Sequence, residues 1–339
     1  MDLNTIWFFL IGVLLIGYAI LDGFDLGVGV LHLFSKTEKE RRINLNAIGP
    51  VWDGNEVWLL TGGGALFAAF AKVYATIFSG FYIAIMLLLT AFIFRAVSLE
   101  FRSKLASKTW RKIWDWTFCL GSLIPAILLG VAVGNILRGV PITATGEWAG
   151  SFLGLLNPYA LLIGLLSLTM FSMHGAVYLT MKTTGALRTK FQKIAGNLWI
   201  VLVSLYVIAT TATLFVSPFL FKAKFYHNVL FWVFFLALLI AILLLPVLLG
   251  AKKWFAAFIA SATTIAGMAA LGGLSLFPRL VPSLINLDYS FTIYNAANTP
   301  YTLMVMLIIA LTGVPIMLAY TGWIYFLFKG KVVLTKNSY

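Results

Sequence analysis

Long apolar runs alternate with short polar segments along the whole chain. Each run is about 20 residues or longer, the length that an α-helix needs to cross a hydrocarbon core of about 30 Å. The pattern predicts nine membrane-spanning helices, over residues 6–33, 50–71, 74–98, 114–136, 156–181, 194–216, 226–249, 254–277 and 301–328. We therefore expect an all-α integral membrane protein, built as two four-helix bundles with one peripheral helix.

The composition favours a single polytopic membrane domain over residues 1–339. Hydrophobic residues make up 61% of the chain and charged residues only 10%, which is too little charge for a soluble globular protein. No linker or low-complexity segment divides the chain. It begins without the basic segment of a secretory signal, so we expect the first span to be retained.

A faint internal repeat is present in the sequence. Asn4 opens the first span and Asn157 opens the fifth, and Asp22 and His174 follow at matching depth. Parallel repeats of four helices each would explain this spacing, and chance is the alternative. The repeat would consist of the halves 1–140 and 150–280, with an extra helix at 300–328.

The basic residues predict the orientation of the chain. With the N-terminus outside, 19 of the 24 lysines and arginines fall on the inner side, Arg95 among them. The outer side carries Lys72, Arg138, Lys222, Lys224 and Arg279; the inner side includes Lys336 at the C-terminus. Positive charge concentrates in cytoplasmic loops, so we predict an N-out, C-in topology. The net charge of +13 then reflects topology beside anionic lipid rather than nucleic-acid binding.

Four carboxylates lie more than two residues inside predicted spans, where an ionisable side chain costs several kcal/mol. Asp22 and Asp25 are three residues apart near the inner end of the first span. Asp53 and Glu56 repeat that spacing at the start of the second. Residues three apart share a helix face, and His174 lies at similar depth in the fifth span. We expect these five groups to converge on the cytoplasmic side.

Two roles for these groups remain open. Closely packed carboxylates in a low dielectric accept and release protons near neutral pH, which favours a proton-uptake path from the cytoplasm. Alternatively, they bond to polar neighbours such as Asn55 and fix the helix packing. We expect His174 to be a packed, hydrogen-bonded histidine. Trp52 and Trp58 flank the acids of the second span, where packing is the simpler role.

The donor set argues against a redox centre held by this chain alone. Haem in membrane subunits is usually held by histidines at depth, and of His32, His174 and His227 only His174 is deep in a predicted helix. The single cysteine, Cys119, excludes an internal disulfide and a cysteine-ligated iron–sulfur or zinc site. We expect no haem and no metal bound by this chain.

Eight segments resemble, in order, subunit II of cytochrome bd-type quinol oxidases. They are LDGFDLGVGVL, GPVWDGNEVWLLTGGGALFAAF, SGFYIA, FRSK, MHGAVYLTMKTTG, FPRLVPS, TIYNAANTPYTL and VPIMLAYTGWIYFLFKG. The first two are specific, because acids, glycines and tryptophans seldom recur together within a membrane span. One departure is Ala71-Lys72, which stands where we expect a proline before the next helix.

The resemblance implies a terminal oxidase of the bacterial plasma membrane that oxidises quinol and reduces dioxygen to water. In that family subunit I carries two haem b, one haem d and the quinol site, and a small single-span third subunit sometimes accompanies it. Subunit II supports subunit I and is thought to contribute a proton path. By similarity, Asp25 and Asp53 match the family's acidic positions, and Trp52 precedes the second.

Two other functions remain compatible with the residues alone. A proton-coupled secondary transporter also has membrane acids, broken helices and internal repeats. A purely structural assembly subunit needs buried polar groups only for packing. The motif match favours the oxidase subunit.

Overall fold

The computed structural model describes residues 2–222 and 227–335. Lys224 and Lys336, which entered the orientation argument, and residue 226, the start of the seventh predicted span, lie outside the described residues. The helices are α1 (Leu3–Leu31), α2 (Glu38–Ile48), α3 (Trp52–Ala69), α4 (Ala71–Gly80), α5 (Tyr82–Phe101), α6 (Lys108–Arg138), α7 (Pro158–Lys182), α8 (Gly185–Val216), α9 (Phe219–Lys222), α10 (Val229–Gly250), α11 (Trp254–Leu276) and α12 (Pro300–Leu327).

The spans agree with the hydropathy pattern in number and order. Within the described residues, eight helices are long and apolar enough to cross a membrane, and the bent pair α3–α4 gives a ninth if it counts as one span. The predicted all-α membrane fold is thus confirmed. Some helix starts differ from the predicted ones: the sixth span was predicted from residue 194, whereas α8 begins at Gly185. The third span was predicted from residue 74, whereas the helix that crosses there is Tyr82–Phe101.

The late start of the third span arises from a sharp bend after α3. Its axis and that of α4 differ by 120°, and Phe70 between them leaves the helical region with φ −135° and ψ 59°. Asn298 secures the break, because its backbone N–H donates to the Ala69 carbonyl and its side-chain amide donates to the Ala68 carbonyl. Hydropathy does not report this break, because residues on both sides of it are apolar. The chain turns here without the expected proline.

The helices group into two sets by their mutual contacts. The first set is α1, α3, α5 and α6, and the second is α7, α8, α10 and α11. The two sets meet where α7 packs against α1 and α6, and α12 lies at the edge against α1 and α3. This grouping is compatible with the proposed repeat, which stays a prediction.

Helices α1 and α7 approach each other closely and run in the same direction. A Cβ on Gly27 would lie 1.9 Å from the carbonyl oxygen of Phe171, and one on Gly175 would lie 2.5 Å from the carbonyl carbon of Gly27. Only glycine permits backbones to pack at this distance. This contact holds the acidic turn of α1 at the centre of the molecule.

The bundle has two chemically distinct ends. We call the end at which α1, α5, α7, α10 and α12 finish the basic end; α2 and the loop from 102 to 107 lie there. Helix α2 starts with a capping box in which Thr37 and Glu40 satisfy each other's backbone N–H groups. The opposite end carries α4 and a short antiparallel pair, β1 (Arg279–Val281) and β2 (Phe291–Thr292). That the basic end faces the cytoplasm stays a prediction.

Candidate functional site

An ion-pair cluster forms around Asp22 in α1, and the central residue of the cluster is an arginine from another helix. Arg95 of α5 is 0% exposed, and its guanidinium donates to both oxygens of Asp22, with Nη2 to Oδ1 at 2.5 Å. The same Nη2 donates to Oε1 of Glu56 on α3 at 2.6 Å. Asp22 is also 0% exposed. One cation therefore joins three helices and compensates two carboxylates inside the span.

The position of Arg95 corrects the sequence prediction, which counted it with the basic residues of an inner loop. It lies six residues before the end of α5, where α1 and α3 cover it. Its guanidinium carbon also lies over the Phe92 ring, 5.5 Å from the ring centroid. The missed signal was its place inside the predicted span 74–98. An arginine within a span and carboxylates in two others indicate an ion pair.

Asp25 has a different environment from Asp22, one turn away. It is 0% exposed, and its Oδ2 accepts a hydrogen bond from Nδ2 of Asn55 at 2.7 Å. No cation contacts it among the described residues, and its Oδ1 is buried without a partner. Asn55 is itself held by the hydroxyl of Tyr325 on α12, which donates to Oδ1 at 2.9 Å. A hydrogen-bonded chain thus runs from α12 to Asp25.

Asp53 does not join this cluster. It lies on the exposed face of α3 and forms no ion pair in the described part of the chain. Val57, Leu60 and Phe67 continue the same exposed face at helical spacing. The predicted convergence therefore holds for Asp22, Asp25 and Glu56 only. Residues three apart differ by about 60° around a helix, which is enough to separate Asp53 from Glu56 at the edge of the bundle.

His174 is buried as expected. It is 0% exposed, its Nε2 donates to the Ile20 carbonyl at 3.1 Å, and its Nδ1 lies 2.7 Å from Oγ of Ser261. These bonds link α7 to α1 and α11. Its ring stacks on Phe258 with the centroids 4.8 Å apart. The geometry matches a packed, hydrogen-bonded histidine.

The two tryptophans of α3 differ in burial. Trp58 is 6% exposed and lies where a side chain on Gly17 would be, since a Cβ there would come within 2.3 Å of its ring. It therefore seals α3 against α1. Trp52 is half-buried at the start of α3 and packs at the edge of the core around Phe24 and Tyr178. Both positions are consistent with packing beside the acids.

A second charged cluster, at the basic end, escaped the sequence prediction. Asp115 of α6 is 1% exposed, and its Oδ1 lies 2.5 Å from Nε of Arg102 and 2.6 Å from Nε2 of His32. Its Oδ2 accepts from Nη1 of Arg41 at 2.7 Å. Arg102 also donates to both oxygens of Glu38 on α2. This cluster ties α1, α2 and α6 together. Asp115 escaped notice because its predicted place was the edge of a span.

Glu38 lies outside the spans, and its pKa reflects these contacts. Partial burial opposes its ionisation, but the hydrogen bonds and charge of Arg102, with the charge of Arg111, outweigh burial and lower the pKa. Burial likewise disfavours the charged form of Arg102, yet its bonds to Asp115 and Glu38 raise its pKa above the ordinary value. Glu38 and Arg102 are therefore both ionised at neutral pH.

The side chains able to ligate a haem or a metal ion are few and scattered among the described residues. The described residues contain no group of three or more His, Cys, Asp or Glu side chains able to hold a metal ion. His174 uses both ring nitrogens within the bundle, and His32 is fully buried with Nε2 held by Asp115. His174 therefore does not fit haem ligation, whereas His32 keeps Nδ1 without a partner but is enclosed by the bundle.

Comparison with known proteins identifies similar chains. The family described as cytochrome bd terminal oxidase subunit II matches residues 3–328. A Haemophilus influenzae protein named "Probable cytochrome oxidase subunit 2" is 40% identical, over 97% of this chain and 95% of its own length. The "Cytochrome bd-I ubiquinol oxidase subunit 2" of Escherichia coli K12 is 38% identical over the same shares. The solved bd oxidase from Geobacillus thermodenitrificans has a similar fold, with a TM-score of 0.76 at 20% identity, covering 97% of this chain and 99% of that one.

Proposed function

The chain belongs to the cytochrome bd terminal oxidase subunit II family, and from that premise we propose that its buried carboxylate Asp25 carries protons for oxygen reduction. It is a multi-pass protein of the bacterial inner membrane and a subunit of a quinol oxidase. Membership favours this function over the proton-coupled transporter. It also implies a partner, subunit I, and haem in the complex.

The finer division of labour is part of the proposal. We assign two haem b, haem d and the quinol site to subunit I, as the family resemblance implies and because His174, the histidine deepest in the bundle, uses both ring nitrogens within it. A small third subunit would add a single span. This chain then contributes structural support and a proton route, and it does not react with quinol or oxygen itself.

The observation that carries the proton proposal is the unpartnered oxygen of Asp25. Its Oδ1 is buried, and no cation contacts the carboxylate among the described residues. A buried carboxylate without a cation favours the protonated form, whereas one that is ion-paired favours the ionised form. Asp25 is therefore able to hold a proton at Oδ1 while Asn55 holds Oδ2. It would receive that proton from the basic end and pass it toward subunit I.

The neighbouring groups have supporting roles in this proposal. Arg95 donates hydrogen bonds to Asp22 and Glu56 and so gives both carboxylates a cation partner, and we assign this pair a structural role beside the path. His174 and Trp58 fix α1 against α7 and α3. Asp53 needs a different explanation, because a carboxylate on a lipid-facing surface is costly. We propose that subunit I covers the exposed face of α3 and contacts Asp53.

Substitution of each acid in the assembled oxidase tests the proposal. We expect Asp25→Asn to lower quinol-dependent oxygen uptake by roughly 100-fold, the usual contribution of a positioned proton-transfer group. Haem content, read from a reduced-minus-oxidised spectrum, should stay normal. Asp53→Asn should instead weaken association with subunit I. Asp288→Asn is the matched control, because that acid is exposed at the opposite end of the bundle.

Normal oxygen uptake in Asp25→Asn would sink the proton-carrier role. Loss of haem together with loss of uptake would favour the purely structural role of the acids. Asp53→Asn with unchanged association would show that subunit I lies on another face.

A further inference from the structure

A basic cavity lies outside the acidic cluster, between α1, α2 and α6. Its volume is about 440 Å³, and it is lined by Leu33, Glu38, Arg41, Lys108, Arg111, Lys112, Asp115 and Trp116. We propose that it binds the phosphate of an anionic phospholipid in the leaflet at the basic end. The inference stands independently of the proton proposal.

The charge balance of the lining favours an anion. Four cations line the cavity against two carboxylates, which leaves a net charge of +2. Asp115 does not neutralise the lysines, because its oxygens are occupied by Arg41, Arg102 and His32. In the described part of the chain, Lys108 and Lys112 form no ion pair. Their ammonium groups are thus available to a ligand.

Arg111 contributes a donor that the protein leaves unused. Its Nη1 donates to Glu38 at 3.3 Å, but its Nε is buried and has no acceptor. A buried N–H without a partner is uncommon and unfavourable, because it has lost its bond to water. Because the Arg111 side chain is 34% exposed, a rotation of this side chain would bring the N–H to a phosphate oxygen in the cavity. Arginine and lysine together match a phosphodiester, which offers several acceptor oxygens.

The surface of α6 explains why the phosphate would belong to a lipid. Lys112, Trp116, Leu120 and Ile124 are all exposed and follow one another at four-residue spacing. Side chains four apart share a helix face, so a cation at the basic end leads into an apolar stripe along the span. A headgroup in the cavity would place its acyl chains on this stripe. A free phosphate would make no use of it.

The test compares two double-lysine variants of the purified oxidase complex. Lys108→Gln with Lys112→Gln removes the two unpaired cations, and Lys252→Gln with Lys253→Gln removes two exposed lysines from the α10–α11 turn at the same end. Binding of phosphatidylglycerol is measured by native mass spectrometry, with phosphatidylcholine and inorganic phosphate as separate probes. We expect the cavity variant to bind phosphatidylglycerol about 30-fold more weakly, because it has lost two cations and each one near an anionic headgroup strengthens binding about fivefold. The turn variant should bind as the unmodified complex does.

Four outcomes would overturn the proposal. Equal losses in the two variants would indicate a general surface effect. Equal binding of phosphatidylcholine and phosphatidylglycerol would show that negative charge is not recognised. Inorganic phosphate that binds as tightly as phosphatidylglycerol, or a cavity filled by an acidic segment of subunit I, would replace the lipid with another occupant.

Discussion

Two buried carboxylates, Asp115 near the basic end and Asp25 within the span, illustrate two ways of keeping an acid in the membrane. Asp115 uses both oxygens, which contact Arg41, Arg102 and His32. Asp25 has one amide partner, Asn55, and one oxygen without any. Asp22, one turn from Asp25, follows the first pattern through Arg95. Among these three buried carboxylates of the described residues, Asp25 alone has no compensating cation.

The presence or absence of a cation partner separates carboxylates that stabilise the fold from one that is able to exchange protons. A buried charge that is fully paired is costly to break, because each remaining partner then carries an uncompensated charge. A buried carboxylate without a cation is free to gain and lose a proton as its surroundings change. Asp115 and Asp22 therefore stabilise the bundle, and Asp25 has the properties of a carrier.

The strongest expected effect is on the Asp115 cluster. Asp115→Asn would leave Arg41 without a carboxylate partner and the buried Arg102 with only the partly exposed Glu38, and we expect a loss of about 3–5 kcal/mol in the free energy of unfolding. Unfolding of the purified complex by titration with SDS measures this change. Thr117→Val is the control, because its hydroxyl bonds only to its own helix, at the Ile113 carbonyl. A loss no larger than that of the control would mean that the cluster does not stabilise the fold.

Substitution of Arg95 should also lower the free energy of unfolding, and a second substitution at Asp22 should restore most of it. Arg95→Gln leaves Asp22 and Glu56 without a cation, so we expect a loss of about 3 kcal/mol in the free energy of unfolding. Adding Asp22→Asn removes the charge left most deeply buried and should recover most of that loss. The same SDS titration, run as a double-mutant cycle, isolates the coupling. Additive losses would show that the two residues do not act as a pair.

The number of spans was predictable, and the details of the acidic cluster were only partly so. Membrane thickness dictates the length of each apolar run, so the spans follow from hydropathy alone. The three-residue spacing correctly brought Asp22 and Asp25 to one region. It failed for Asp53, because at the edge of a bundle a rotation of about 60° separates a buried position from an exposed one.

Arg95 shows what charge counting leaves out. The positive-inside rule treats arginines near span ends as loop residues, and most of them are. Whether one is buried depends on the helices packed beside it, here α1 and α3, which the sequence does not specify. The nitrogen donors that contact Asp115 and the bend at Phe70 were hidden for the same reason. Both depend on tertiary contacts.

A smaller effect on oxygen uptake is expected from Tyr325, the far end of the hydrogen-bonded series that leads through Asn55 to Asp25. Tyr325→Phe removes the hydroxyl that holds Asn55, at a cost of about 1 kcal/mol for the lost hydrogen bond. With Asn55 less well fixed, we expect oxygen uptake to fall about fivefold. Tyr320→Phe on the same helix is the control, because Tyr320 is 59% exposed. Equal uptake in the two variants would exclude Tyr325 from positioning Asp25.

The smallest expected effect is a pH dependence at Glu38, whose pairing with Arg102 is partly exposed to solvent. The pKa of Glu38 is lowered in the folded protein from an ordinary value of 4.5. Its contribution to stability is therefore fully present above about pH 4.5 and is lost as the pH falls through the folded pKa. Because the carboxylate is 44% exposed, we expect a contribution below about 1 kcal/mol.

The melting temperature of the unmodified complex should accordingly fall between about pH 5 and pH 3. In Glu38→Gln the melting temperature should fall less over that range and stay close to the value that this variant has at neutral pH. Melting of the haem absorbance across that range measures the slope, and Glu147→Gln is the control because Glu147 is exposed at the opposite end. A pH slope unchanged by Glu38→Gln would assign the acid sensitivity of the basic end to Asp115. It would also show that α2 is held without its ion pair. The fully buried carboxylate would then suffice to fix that end, and the half-exposed one would add nothing measurable.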